Sequence, residues 1–371
     1  MTRFVSGFAA AAATMIVSAQ APAPSVSFKL GTFEHQGRTF VGLVLRDKTV
    51  IDVGAANAAL EAKNPSWKKV QVPRDMIDVI AGYESAGLRA RFHELAGAIK
   101  AEEHGAYSYD VKSIRILPPI RRPGTMLNVA VNYREHENEM AAPSGTATAP
   151  PAEMGKSVPG LWERKPDDTR HTPYLFLKPQ AALTGDGAPI RIPQGRDRID
   201  WECELAVVIG KEANHVPIER AKDYIFGYTL ENDVSDRGGR GDARFGSDWL
   251  IGKGHDTFAP MGPFVVPAEF ISDPQKLAIK FTLSGKLMQD SNTDRMIHTV
   301  YEQVAYGSNI LTLRPGDVIS TGSPAGVGSA RNPPIFMKPG DVSVCTIEGI
   351  GTLTNPVVGP TGATTSSGKQ P

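Results

Sequence analysis

The stretch Ile199-Asp-Trp-Glu-Cys-Glu-Leu-Ala-Val-Val-Ile-Gly210, IDWECELAVVIG, decides how the chain is read. Its second half, LAVVIG, is an apolar, β-branched run ending at a glycine, the pattern of a buried strand. Glu202 and Glu204 stand immediately before it. Side chains alternate along a strand, so both carboxylates point to one face and Cys203 to the other. Two like charges side by side at the mouth of a core repel, and each is costly to desolvate. Either the pair is matched by arginines or sits at a solvated strand end, or a cation holds it. Spacing alone leaves these two readings level.

A divalent cation would relieve the repulsion, since hard ions such as Mg2+, Mn2+ or Ca2+ take carboxylate oxygens. A third acid is available in GYTLENDVSDR, where Asp233 follows the strand-like YIFGYTLEN. Further along, NYREHENEM follows the apolar strand MLNVAV and favours a short helix, which puts His136 and Glu139 on one face at i, i+3. A carboxylate beside an imidazole raises its basicity and fixes its tautomer, as a general base needs. By itself that segment reads better as a charged, solvated helix turn. Lys253 lies in the Gly-flanked turn of DWLIGKGHD and could supply charge to an oxyanion. The run GSPAGVG, after the strand DVIST, offers backbone N–H groups to anionic oxygens or is a tight turn between strands.

The rest of the chain limits what this site can serve. Its 371 residues, 41% hydrophobic, suffice for a sizeable core in one large or two moderate domains. Forty Lys and Arg balance forty Asp and Glu, which lacks the basic footprint of a nucleic-acid binder. Abundant Gly and Pro favour turns and short strands. Residues 1–21 read as a signal peptide cleaved near 19–21, which predicts a periplasmic or secreted protein with no membrane association once mature, cytoplasmic only if the leader does not act. Cys203 and Cys345 are expected as buried free thiols, with a bridge between them left open.

SVSFKLGTFEHQGRTFVGLVLRDKTVIDV alternates like a strand meander turning at Gly37 and Asp47, and residues Asp75 to Glu102 have helical periodicity. Residues 25–115 therefore read as a small N-terminal α/β module, with a main domain over 116–359. Within it, the Pro- and Ala-rich residues 141–172 are expected to form a lid over the site. Residues 360–371 read as a disordered tail.

The ordered set NYREHENEM, PYLFLKP, IDWECELAVVIGKEA, AKDYIFGYTLENDVSDR, GKGHDTFAPMGPFVV, GDVISTGSPAGVG and KPGDVSVCTIEGIGTLTNPV resembles the fumarylacetoacetate hydrolase family from about Pro118 to Val358. The resemblance implies an α+β, predominantly β fold, with a mixed β-sandwich or β-roll catalytic domain, a homodimer and a bound Mg2+ or Mn2+, with Ca2+ as an option. It makes Glu202, Glu204 and Asp233 the metal ligands, His136 and Glu139 the catalytic dyad, and Lys253 the oxyanion stabiliser. Arg237 and Thr321 become substrate contacts, with Tyr133 and Arg240 beside them. Where the family carries an acid and an amide, this chain has RGGR, with Gly238 and Arg240 in their places. The expected activity is metal-dependent hydrolysis of a C–C bond in an acylpyruvate-like or other diketo or 2-oxo acid. A decarboxylase, isomerase or lyase of the same family, or a non-catalytic periplasmic binding protein, are the alternatives.

Overall fold

The computed structural model describes residues 26–99, 106–141, 157–239, 241, 244 and 246–360. The meander forms as its alternation predicts: β1 (Lys29–His35), β2 (Arg38–Leu45) and β3 (Thr49–Asp52). The two-residue β1–β2 loop puts Gln36 and Gly37 at positive φ, the twist such hairpins require, and the three-residue β2–β3 loop puts Arg46 and Asp47 there. Three helices follow, α1 (Val53–Lys63), α2 (Met76–Gly82) and α3 (Leu88–Ala98). The periodic stretch after Asp75 is thus two helices, not one. The chain breaks at residues 83–87, where Gly87 takes φ 75° as the N-cap of α3. Val79, Ile80, Phe92 and Leu95 pack on the main core beside Phe28.

After β4 (Ser108–Asp110), β5 (Arg115–Leu117) and β6 (Met126–Ala130) comes the expected short helix, α4 (Arg134–Ala141). Four short strands then lead to the opening stretch: β7 (Tyr174–Leu177), β8 (Leu183–Thr184), β9 (Ile190–Arg191) and β10 (Ile199–Asp200). β11 (Cys203–Ile209) is buried along its whole length, as is β12 (Ile225–Asn232). Beyond them lie β13 (Ser235–Asp236), α5 (Trp249–Lys253), β14 (Ala259–Pro267), β15 (Ala278–Leu283), β16 (Lys286–Asn292) and α6 (Val300–Ile310). β17 (Val318–Ser320), β18 (Val342–Ile347) and β19 (Gly351–Val358) complete the chain.

One sheet of 12 strands runs β4-β3-β2-β1-β14-β12-β11-β17-β6-β7, with β5 on β1 and β8 on β14. The N-terminal strands join it where Leu30 pairs with Val265. A second sheet, β16-β15-β18-β19-β9, packs across β11, β12 and β14. The fold is therefore α+β and predominantly β. A disulfide, Cys203–Cys345, ties β11 of the large sheet to β18 of the small one, with Cα atoms 5.5 Å apart. Alternation does send Cys203 away from the glutamates. The free thiols expected from the sequence are instead a bridge, because the partner strand across the sandwich places Cys345 opposite.

Residues 157–172 are fastened to α6. Trp162 is buried, edge-on to His298 at 5.2 Å, and Arg170 bonds Glu302 Oε1 at 2.9 Å and Ile297 O at 2.9 Å. The rest of the segment read as a lid, 142–156, lies outside the described residues. So do the leader to residue 25, and the tail from 361. No helix among the described residues is long and apolar enough to cross a membrane.

Candidate metal centre and active site

The site forms where β11 and β12 run side by side. Glu202 and Glu204 open β11, and Asp233 stands just past the end of β12, its N–H donating to Glu202 O at 2.8 Å. The strand register puts Glu231 directly opposite Glu204. One oxygen from each of Glu202, Glu204 and Asp233 lies within 4.8 Å of the others, and all three residues are buried. Burial removes the solvated strand end as a reading of this pair; an arginine, Arg237, does meet Glu202, while Glu204 has none among the described residues.

Electrostatics distinguish the carboxylates. Burial opposes ionisation of Glu202, but Arg237, Lys253 and His136 outweigh it and hold the carboxyl well below its usual range. Burial, with Asp233 and Glu202 as like-charged neighbours, drives Glu204 well above that range. Burial likewise pushes Glu231 up to about 7. Three convergent buried carboxylate oxygens, whose mutual repulsion a cation would relieve, are a donor set that suits a hard divalent cation. Glu202, Glu204 and Asp233 would hold it.

Cations surround the acids. Lys253, the last residue of α5, is 3% exposed and bonds Glu202 Oε2 and, at 2.5 Å, Asp233 Oδ2. It ends a short helix capped by Asp248 rather than sitting in a turn. Arg237 donates to Glu202 Oε1 at 2.5 Å and to Asp200 Oδ2 at 3.1 Å. Lys178, which sequence reasoning passed over, bonds Asp233 Oδ1 and donates to Val234 O at 3.0 Å. Burial pushes its ammonium below the ordinary lysine range. The available signal was a lysine closing the apolar strand YLFLK, next to a proline.

The helical spacing of α4 delivers its dyad. His136 Nδ1–H donates to Glu139 Oε1 at 2.7 Å, and His136 Nε2 lies 3.9 Å from Glu202 Oε1. The imidazole is thus oriented from behind and faces the acid cluster.

The GSPAGVG loop does bind anionic oxygens, but they are the protein's own. Gly322 N–H donates to Glu204 Oε2 at 2.9 Å, and Gly326 N–H to Glu139 Oε2 at 3.0 Å. The loop's last residue, Gly328, and the following Ser329 hold the two oxygens of Asp200 through their N–H groups at 2.6 and 3.0 Å. Gly322 and Gly326 have φ 92° and 104°, and a Cβ on Gly326 would come 2.2 Å from Met288 O. Only glycine fits there.

Two residues expected as substrate contacts are buried in the fold. Thr321 is buried and donates both N–H and Oγ1 to Leu205 O, at 2.9 and 2.8 Å, so its hydroxyl is spent on the strand. Tyr133 is fully buried beneath α4. Neither is among the residues lining the cavity. Arg240 lies outside the described residues. His136, Glu202, Glu204, Asp233, Arg237 and Lys253 all line one cavity of about 610 Å³.

This constellation, a buried acidic triad with a His–Glu dyad on a mostly β scaffold, defines a metal-dependent enzyme class. The Fumarylacetoacetate (FAA) hydrolase C-terminal family model matches residues 125–358, and the chain belongs to the fumarylacetoacetate hydrolase family. It is 34% identical over 338 residues to a mitochondrial oxaloacetate tautomerase of Xenopus laevis, covering 90% of this chain and 92% of that one. It is 31% identical over 333 residues to an oxaloacetate tautomerase of Bacillus subtilis (strain 168), covering 89% and 99%. The solved maleylpyruvate hydrolase of Sphingobium sp. SYK-6, in complex with manganese (II) ion and pyruvate, superposes with TM-score 0.64 at 26% identity over 90% of this chain and 99% of that one. Together with the acidic triad, that neighbour supports a divalent metal here. The relatives overturn the expected export to the periplasm: those with a location in their names are mitochondrial.

Proposed function

We propose that the protein moves a proton between the enol oxygen and C3 of a 2-oxo acid bound at the acidic triad, a keto–enol tautomerisation. The observation that carries it is the orientation of His136, with Nδ1 anchored on Glu139 and Nε2 turned toward Glu202. A bound Mg2+ or Mn2+ supplies Lewis acidity that favours the enolate form of the substrate. His136 Nε2 takes the proton from one position and returns it to the other, so no co-reactant is consumed. Glu139 holds the ring in the tautomer that leaves Nε2 basic. Lys253 and Arg237 add positive charge where the oxyanion develops and where the substrate carboxylate binds. The oxaloacetate tautomerase names of the relatives support this assignment.

Hydrolysis of a C–C bond in a diketo acid is the second reading. The same dyad could activate a water, and the Sphingobium neighbour is named a hydrolase. The test follows enol absorbance and product release together, with Mn2+-loaded protein and oxaloacetate or an acylpyruvate. Loss of enol signal with no new acid released supports tautomerisation. Stoichiometric release of two acids supports hydrolysis. Tight ligand binding with neither would make the chain a binding protein. His136→Asn should lower either turnover at least ~100-fold.

A further inference from the structure

The cavity has two chemically different ends. The acid cluster with Lys253 and Arg237 is one. The other is a slab of aromatic rings. Tyr174 and Phe176 share one face of β7, and Trp249 of α5 lies against both, with ring centroids 5.5 and 4.8 Å away. Lys253 Nζ sits 5.2 Å from the Phe176 centroid, so the slab begins at the acid cluster. It runs outward to Tyr174, which is 51% exposed. Met140 of α4 adds a further apolar surface to the cavity.

We infer that this slab is a binding subsite for an apolar, preferably aryl, substituent on the far side of the 2-oxo acid. The inference rests on the reading that a 2-oxo acid binds at the triad. Three observations carry it. First, about 610 Å³ is far more than a two-oxygen chelate fills, and sites of roughly 300–1,000 Å³ enclose drug-sized ligands. Second, the lysine and arginine lining the cavity, Lys253 and Arg237, are both bonded to carboxylates at the triad end. Beyond that cluster, the formal charge among the described lining residues is the anion Glu137. A second substrate carboxylate would meet apolar rings and a like charge, with no further lysine or arginine among the described lining residues to offset its lost water. Third, a cluster of rings packed at interplanar angles of 37° favours an aromatic guest in offset or edge geometry. The substrate class is therefore a monoanionic 2-oxo acid with an aryl or bulky alkyl tail, which separates this chain from relatives named for a dicarboxylate.

Calorimetric titration of the Mn2+-loaded protein tests this with three 2-oxo acids that differ in their tails: pyruvate, phenylpyruvate and 2-oxoglutarate. Oxalate, which has no tail, serves as the probe of the triad end. Phenylpyruvate should bind about tenfold or more tighter than either of the others, the scale on which apolar pockets discriminate. Trp249→Ala should bring phenylpyruvate and pyruvate to within about twofold, and Trp249→Phe, which keeps a ring, should retain most of the preference. Equal binding of pyruvate and phenylpyruvate, or tighter binding of 2-oxoglutarate, would overturn the subsite while leaving the triad reading intact. Failure of oxalate to bind in the presence of Mn2+ would overturn the triad reading, and the subsite with it.

Discussion

The two flanks of the large sheet are equally buried and chemically opposite. On the N-terminal flank, β1–β3 contribute Leu30, Leu43 and Ile51 to a core closed by Phe28 and Phe92. On the other, β11, β12 and β17 bury Glu202, Glu204, Glu231 and Ser320, with Asp233 adjacent. Burying apolar surface stabilises by roughly 25 cal/mol per Å². Burying paired charges is seldom net stabilising, and like charges face to face are worse. Glu204 opposite Glu231 is therefore retained for what it binds. The same secondary structure holds up the fold on one flank and is strained by its function on the other.

The comparison breaks most readily at Glu204. Glu204→Ala should weaken Mn2+ binding at least ~1,000-fold, about 4 kcal/mol, without lowering the melting temperature of the metal-free protein. Titration calorimetry and a thermal melt read both; a large loss of apo stability would mean that the flank is structural after all. Phe92→Ala should do the reverse, costing about 3–5 kcal/mol of stability in denaturant unfolding while folded molecules keep their Mn2+ affinity. Cys345→Ser frees a loop of 142 residues in the unfolded chain and should cost about 2–4 kcal/mol. Because Cys203 stands between Glu202 and Glu204, Mn2+ affinity of that variant shows how far the bridge also steadies the acids.

The smallest effect concerns a buried polar group away from both flanks. Burial, with His171 and Arg170 nearby, lowers His298 to about 4. The unfolded chain binds this proton below about pH 6.5, the folded chain only below about 4. Between those values the unfolded state holds more protons, so stability should be constant above pH 6.5 and fall by on the order of 1–3 kcal/mol as pH drops to 4. Melts of wild type and His298→Asn across this window should differ in slope. Parallel slopes would show that His298 does not titrate there.

Much of the site was legible because it rests on short-range periodicity. A period of two put Glu202 and Glu204 on one face, and a period of 3.6 brought His136 to Glu139. What escaped depends on partners far along the chain. Glu231 reads as one more residue of YIFGYTLEN until the β11–β12 register sets it against Glu204. Lys178 becomes a site residue only when the residue after β7 reaches Asp233, just past the end of β12. Thr321 looked free to meet a substrate, yet its hydroxyl is taken by the neighbouring strand.

The sequence by itself pointed to a predominantly β fold and put Glu202 with Glu204 and His136 with Glu139, since local alternation and helical spacing suffice for these, while their metal and dyad roles came from the resemblance to the family. Tertiary structure alone decided three things. It turned the loop's N–H groups onto Glu204, Glu139 and Asp200 rather than onto a ligand. It joined Cys203 to Cys345 across the sandwich. It also packed Trp249 against Tyr174 and Phe176, more than seventy positions away in the chain, to line the cavity. The physical reason is common to all three: each needs two chain segments held at a few ångströms, and that distance is set by the packing of two sheets, not by any neighbour in sequence.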